Sequence, residues 1–208
     1  HPAASNETSE GRALNRRVEL IRFTDSAAAR DLLRGMSDFL AAQDRLAYDY
    51  DATFEVVTNA DQKLGLASSG TVTLDRPDRI RASTTGGFAS MEVLFDGTTL
   101  TLFGRNADLY TQVSEPGSLD RLVERLREAY GRALPAADLL LSNPYEALTE
   151  DVYDAKDLGS GVIDGTECDW LAFRTTEVDW QIWIAQGERP YPCRYVITTK
   201  DVANAPQY

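Results

Sequence analysis

Residues 25–56 read DSAAARDLLRGMSDFLAAQDRLAYDYDATFEV, and the hydrophobic period changes inside them. Leu32, Leu33, Met36, Phe39, Leu40 and Leu46 recur at helical spacing, and Asp25 or Ser26 is placed to cap the first turn. The spacing predicts an amphipathic helix over 25–47, about five or six turns long. From Tyr48 the period drops to two: Tyr48, Tyr50, Ala52, Phe54 and Val56 alternate with Asp49, Asp51, Thr53 and Glu55. That alternation is a strand with one wet face, whose other face needs a cover.

Outward from this switch the text stays strand-like. Val72 and Leu74 alternate with Thr71, Thr73 and Asp75 before a turn at Arg76-Pro77-Asp78, and Asp96-Gly97 separates two alternating runs as a hairpin turn does. Another strand covers 109–113. The period then returns to 3.6 in SLDRLVERLREAYG, where Leu119, Leu122, Val123, Leu126 and Tyr130 share a face between Ser118 as N-cap and Gly131 as stop. ALPAADLLLSNPYEAL reads as two short helical turns, the second opened by Asn143 and Pro144. Strands resume at Val152 and include CDWLAFRTTEVDWQIWI and RYVITTK, and since the text stops just after a turn-like Ala205-Pro206, the natural chain is expected to continue beyond Tyr208 for one more strand. The order is helix, about six strands, helices, four or five strands. This is α+β with one strongly curved antiparallel sheet, an incomplete barrel of about 10–11 strands by this count, and both main helices on its concave face. A curled sheet capped by few helices leaves an apolar cavity.

Composition narrows the functions. With 208 residues, 21 Lys+Arg against 33 Asp+Glu and a formal charge of −12, the chain lacks the basic footprint that nucleic acids and anionic membrane surfaces require. The one histidine is His1, so a Ser-His-Asp triad and the usual catalytic zinc sites are not expected, and the chain reads as a non-enzyme. A site made of carboxylates alone is the remaining enzymatic alternative. No run of about 18 apolar residues is present to span a bilayer as a helix. Residues 1–24 open with HPAASNETSEGR, which has no apolar leader core. They read as a mostly disordered or extended segment left after removal of a signal peptide, and 25–208 as a single domain.

LLRGMSDFLAAQ at 32–43, VLFDGTTLTLF at 93–103, LPAADLLLSNPY at 134–145, CDWLAFRTTEVDWQIWI at 168–184 and RPYPCRYVIT at 189–198 carry a resemblance. They resemble a bacterial predicted-periplasmic family of unknown function with the lipoprotein-localisation-factor (LolA/LppX-like) fold, over about 25–208. The resemblance implies a periplasmic or secreted binding protein for a lipid or lipoprotein acyl chain, without a cofactor. The alternative is an envelope protein–protein interaction module with a filled core.

Choosing the row of larger apolar side chains in each strand, and the apolar stripe of the second helix, gives a candidate lining of Phe54, Val93, Phe95, Leu102, Leu122, Leu126, Trp180 and Ile182. Ordinary sheet core is the competing reading for each, Trp180 above all. Trp183 falls on the opposite face. Arg76, Arg79 and Arg81 read as a lipid-headgroup contact or a solvated edge, Asp49, Asp51 and Glu55 as a wet face, and Gly159-Ser160-Gly161 as a turn. Cys168 and Cys193, the only cysteines, suggest one disulfide in an oxidising compartment. Simple meander register sets both opposite Ala185, about 9–10 Å apart, unless a bulge near Pro190 and Pro192 or a different strand order closes the gap. Two cysteines do not make a zinc site, so no metal is expected.

Overall fold

A computed structural model describes residues 26–130 and 136–208. Residues 1–24, Asp25 as a cap and Gly131 as a stop lie outside the described residues, as does the Tyr130 side chain. Helix α1, Ser26–Ala41, is shorter than its predicted span. The chain turns at 42–44, and Leu46 sits in strand β1, Arg45–Val57, paired with Leu74. Its spacing matches both periods, and the ladder with β2 decides between them. Five further strands continue the meander: β2 Lys63–Asp75, β3 Arg79–Gly86, β4 Ser90–Phe95, β5 Thr99–Gly104 and β6 Leu109–Ser114. Helix α2, Leu119–Tyr130, starts where the Ser118 hydroxyl accepts from the Arg121 N–H. A 3₁₀ turn, Ala137–Leu140, leads to helix α3, Pro144–Thr149, which is capped by Asn143.

Strands β7 Asp154–Ile163, β8 Thr166–Arg174, β9 Val178–Ala185 and β10 Pro192–Thr199 form a second antiparallel meander. The α+β antiparallel class holds, but the expected single sheet is two hydrogen-bonded sheets, β1-β2-β3-β4-β5-β6 and β10-β9-β8-β7. The residues that join them are the last three. Ile197 and Tyr208 exchange backbone hydrogen bonds of 2.9 Å each way, the Thr199 N–H donates to Pro206 at 3.1 Å, and the Glu55 N–H donates to Gln207 at 2.8 Å. Residues 206–208 thus return as a short eleventh strand wedged between β10 and β1.

Each sheet has its own helix and core. Ala29, Leu33, Met36 and Leu40 of α1 pack on Leu171, Phe173, Trp180, Ile182 and Ile184 of the four-stranded sheet. Leu119 and Leu122 of α2 pack on Leu74, Phe95 and Leu100 of the six-stranded one. Leu46 touches both clusters, and the 3₁₀ turn sends Leu139 to the first and Leu140 to the second. Each fully buried leucine contributes roughly 2 kcal/mol of apolar transfer. Arg76 ties the two halves: its Nε donates to the Gln43 carbonyl at 3.2 Å and Nη1 to the Leu140 carbonyl at 2.8 Å. It is a half-buried staple inside the fold and not part of a solvated edge. Gly159-Ser160-Gly161 is likewise not a turn but lies within β7 at a bulge, with Gly159 at φ +88°; the hairpin turn is Asp164-Gly165.

Candidate ligand-binding hollow

The register of the six-stranded sheet arranges its concave face in rows. The first runs Leu46, Leu74, Ile80, Phe95, Leu100, Val113, the second Tyr48, Val72, Ala82, Val93, Leu102, Thr111, and the third Tyr50, Gly70, Thr84, Met91, Gly104, Leu109. Ala52, Phe54 and Val56 extend this face on β1, opposite Ser68, Leu66 and Leu64 of β2. None of these positions is charged. The charges lie on the other face, where Asp49, Asp51 and Glu55 stand as the alternation predicted and Glu92 is held between Arg81 at 2.6 Å and Arg105 at 3.0 Å. These two arginines keep the Glu92 carboxyl below its ordinary range, Arg105 most strongly.

Helix α2 covers the first row and reaches the second, where Val93 and Leu102 pack against its cluster and Val72 is buried. Leu74 is fully buried and Phe95 and Leu100 nearly so, whereas Tyr48, Phe54, Leu64, Met91 and Val113 are 40–47 % exposed and Leu109 is 69 % exposed. Burial therefore falls away from the part of the sheet beneath the helix, toward the third row and toward Tyr48 and Val113 at the ends of the rows, leaving an open apolar trough beside the helix. Such a contiguous surface is uncommon in a soluble monomer unless something binds it.

The trough divides the candidate lining. Val93 and Leu102 are half-buried on its floor, Phe54 stands on its far wall, and Phe95 and Leu122, with Leu126 beside them, form the packed end beneath α2. Trp180 and Ile182 belong to the other core. Trp180 stacks on Phe173 with ring centroids 4.1 Å apart and receives the edge of Tyr195 at 5.6 Å, and Ile182 is fully buried against α1. The structure thus brings six of the eight onto one sheet–helix surface and places two in a filled core.

Four tyrosines line the seam where the sheets meet. Tyr48 and Tyr50 come from β1, Tyr195 from β10, and Tyr208 from the eleventh strand, its ring 6.3 Å from that of Phe54. The Tyr50 hydroxyl bonds Thr84 Oγ1 at 2.5 Å and the Ser83 carbonyl at 3.3 Å, crossing over Gly70; a Cβ there would lie 2.5 Å from that hydroxyl and 2.0 Å from the Ser83 carbonyl oxygen. Burial, with Tyr50 and Tyr208 nearby, pushes the Tyr48 hydroxyl up to about 12 although the residue is 40 % exposed. A residue on the wall of a concavity has this combination, since protein surrounds it while one side stays open. Burial also raises Tyr195 and Tyr208. Sequence reasoning missed these four because it ranked rows by apolar size, although the alternation had set Tyr48 and Tyr50 on the row of Phe54.

Elsewhere, an open groove of about 390 Å³ is lined by Thr73, Asp75, Arg79, Ile80, Arg81, Leu94, Phe95, Asp96, Thr99 and Thr101, which combines charges of both signs from the wet face with Ile80 and Phe95 of the first row. Trp183 stacks on Trp170 at 5.3 Å with Arg194 over it. Of the two conditions for bringing the cysteines together, the bulge is present, in β10 between Pro192 and Arg194, and the Cys193 and Cys168 Sγ atoms, as thiols, lie 2.9 Å apart. Burial and the facing thiol push Cys193 up to about 12.

The architecture is shared with solved structures. Lipoprotein LppX of Mycobacterium tuberculosis is 14 % identical, with 88 % of this chain and 92 % of that chain covered at a TM-score of 0.53. LprF of Mycobacterium bovis is 11 % identical, with 88 % and 90 % covered at 0.53. At these identities the likeness is one of fold, the LppX-like fold that the sequence resembled. No curated protein sequence matches the chain. The family model described as "Predicted periplasmic protein (DUF2092)" matches residues 29–208, and the chain belongs to that periplasmic family.

Proposed function

We propose that this protein is a non-enzymatic periplasmic carrier that holds the acyl chain of a lipid or lipoprotein in the trough beside α2. The observation that carries the reading is the charge-free concave face whose apolar residues, Tyr48, Phe54, Leu64, Met91 and Val113, remain 40–47 % exposed in an otherwise strongly acidic protein. The fold shared with lipoprotein LppX supports it. Apolar area supplies the affinity at about 25 cal/mol per Å², less the cost of ordering the chain.

A pyrene-labelled acyl probe titrated into detergent-free protein tests the proposal. We expect saturable binding, lost on Val93→Trp, which fills the floor, and weakened about tenfold or more by Met91→Asp, which puts a charge against the chain. Met91 is exposed enough that its variant should keep the native unfolding midpoint. Absence of binding by wild-type protein, or equal binding by both variants, defeats the carrier reading. It would favour an envelope protein partner instead, docking on exposed apolar residues such as Phe88 and Leu109.

A further inference from the structure

The carrier reading leaves the four tyrosines of the seam unexplained. A surface meant only for hydrocarbon has no use for hydroxyls, because each one must be satisfied or pay desolvation when a chain covers it. Tyr50 is satisfied by Thr84 and Ser83. The hydroxyls of Tyr48 and Tyr208 have no hydrogen-bond partner among the described residues, and these two residues come from the segments that meet at the seam, whereas Tyr195 packs on Trp180 in the α1 core.

Resting on the carrier reading, we propose that Tyr48 and Tyr208 form a neutral hydrogen-bonding subsite for the ester carbonyl of an acyl ligand, so that the trough takes uncharged acyl esters in preference to free fatty acids and anionic headgroups. The first ground is charge. The concave face of the six-stranded sheet carries no Lys, Arg or His to neutralise a carboxylate or phosphate, and an anion drawn into an apolar trough without a partner is strongly penalised. The second is donor chemistry. A tyrosine hydroxyl that stays protonated donates one hydrogen bond, and an ester carbonyl is an acceptor with no proton to place. Burial raises both groups, which keeps them in the donor form. The third is position: Tyr48 stands in the second row, between the buried floor under α2 and the open third row, where the polar end of a chain seated on the floor would fall.

Three pyrene probes of equal chain length test this, a methyl ester, the free acid and the alkane. The expected order places the ester tightest. Tyr48→Phe and Tyr208→Phe should each weaken the ester about fivefold, the worth of one ordinary hydrogen bond, and leave the alkane unchanged. Unfolding midpoints report whether each variant is folded, and if one is not, the wild-type ranking of the three probes decides alone. The acid binding as tightly as the ester, or an ester affinity indifferent to both hydroxyls, overturns the subsite. Alkane binding with no ester preference leaves the carrier reading standing and ends this one, whereas no binding by any probe ends both. Displacement of the bound ester by a monoacylglycerol or by a diacylated lipopeptide supports the subsite and tells a free lipid from a lipidated protein. Failure of both to displace it overturns the assignment.

Discussion

The Glu55 backbone N–H donates to the Gln207 carbonyl at 2.8 Å, and the Glu55 carboxylate accepts the Gln207 N–H at 2.9 Å. Residues 152 positions apart thereby exchange two hydrogen bonds across the join between the sheets. Among the described residues, the two meanders are otherwise linked through side chains such as Leu46, Arg76 and Asn204.

Deleting residues 206–208 should therefore act on both sheets. It removes four backbone hydrogen bonds, from Glu55, Ile197, Thr199 and Tyr208. At about 0.5–1.5 kcal/mol each, discounted for a terminal segment that frays, the loss is about 2 kcal/mol. Urea unfolding would measure it, and amide exchange should rise at Glu55, Ile197 and Thr199 while Leu171 and Ile182 stay protected. An unchanged midpoint would show that the seam contributes no stability.

This seam also marks the limit of what the sequence disclosed. The period switch at Tyr48, the Asp96-Gly97 hairpin, the Ser118 and Asn143 caps and the apolar rows follow from local pattern, and they are present because neighbouring residues suffice to set them. The eleventh strand does not announce itself: DVANAPQY has no alternation, and its pairing is set by two partners far away in the chain. Trp180 misled for a related reason. Alternation gave its face correctly, but which helix covers that face is a tertiary matter, and α1 fills the space that was assigned to a ligand. The bulge at Cys193 was foreseen only as a condition, because extra residues in a strand leave no periodic mark.

That bulge leads to a redox prediction. Cys168 and Cys193 lie on outer strands of a three-strand meander, and their Sγ atoms, 2.9 Å apart, need only a small shift to bond. In protein exported to an oxidising compartment we expect a Cys168–Cys193 disulfide, and titration of the denatured, unreduced chain should find no free thiol. It would close a loop of about 25 residues, worth roughly 3 kcal/mol in the chain-entropy account, so reduction should lower the urea midpoint. Two reactive thiols in exported protein would refute the bond.

Glu92 gives the acid response a sign. Its carboxyl, on the convex face between Arg105 and Arg81, is held below the ordinary value of 4.5. A carboxyl with a lowered folded value adds stability that is complete above the unfolded value and is lost as pH falls through the folded one. Glu55, Asp96 and Asp154 are lowered as well, by Lys63, by Thr98 and by Lys156 respectively, and share the same limb. Thermal midpoints should therefore hold near neutrality and fall below about pH 4.5. Glu92→Gln keeps the shape and removes the charge, so it should lower the neutral midpoint by a few degrees and flatten, without abolishing, the acid limb. Wild type and variant running parallel from about pH 7 to pH 3 would mean that the arginines do not stabilise the carboxylate form of Glu92.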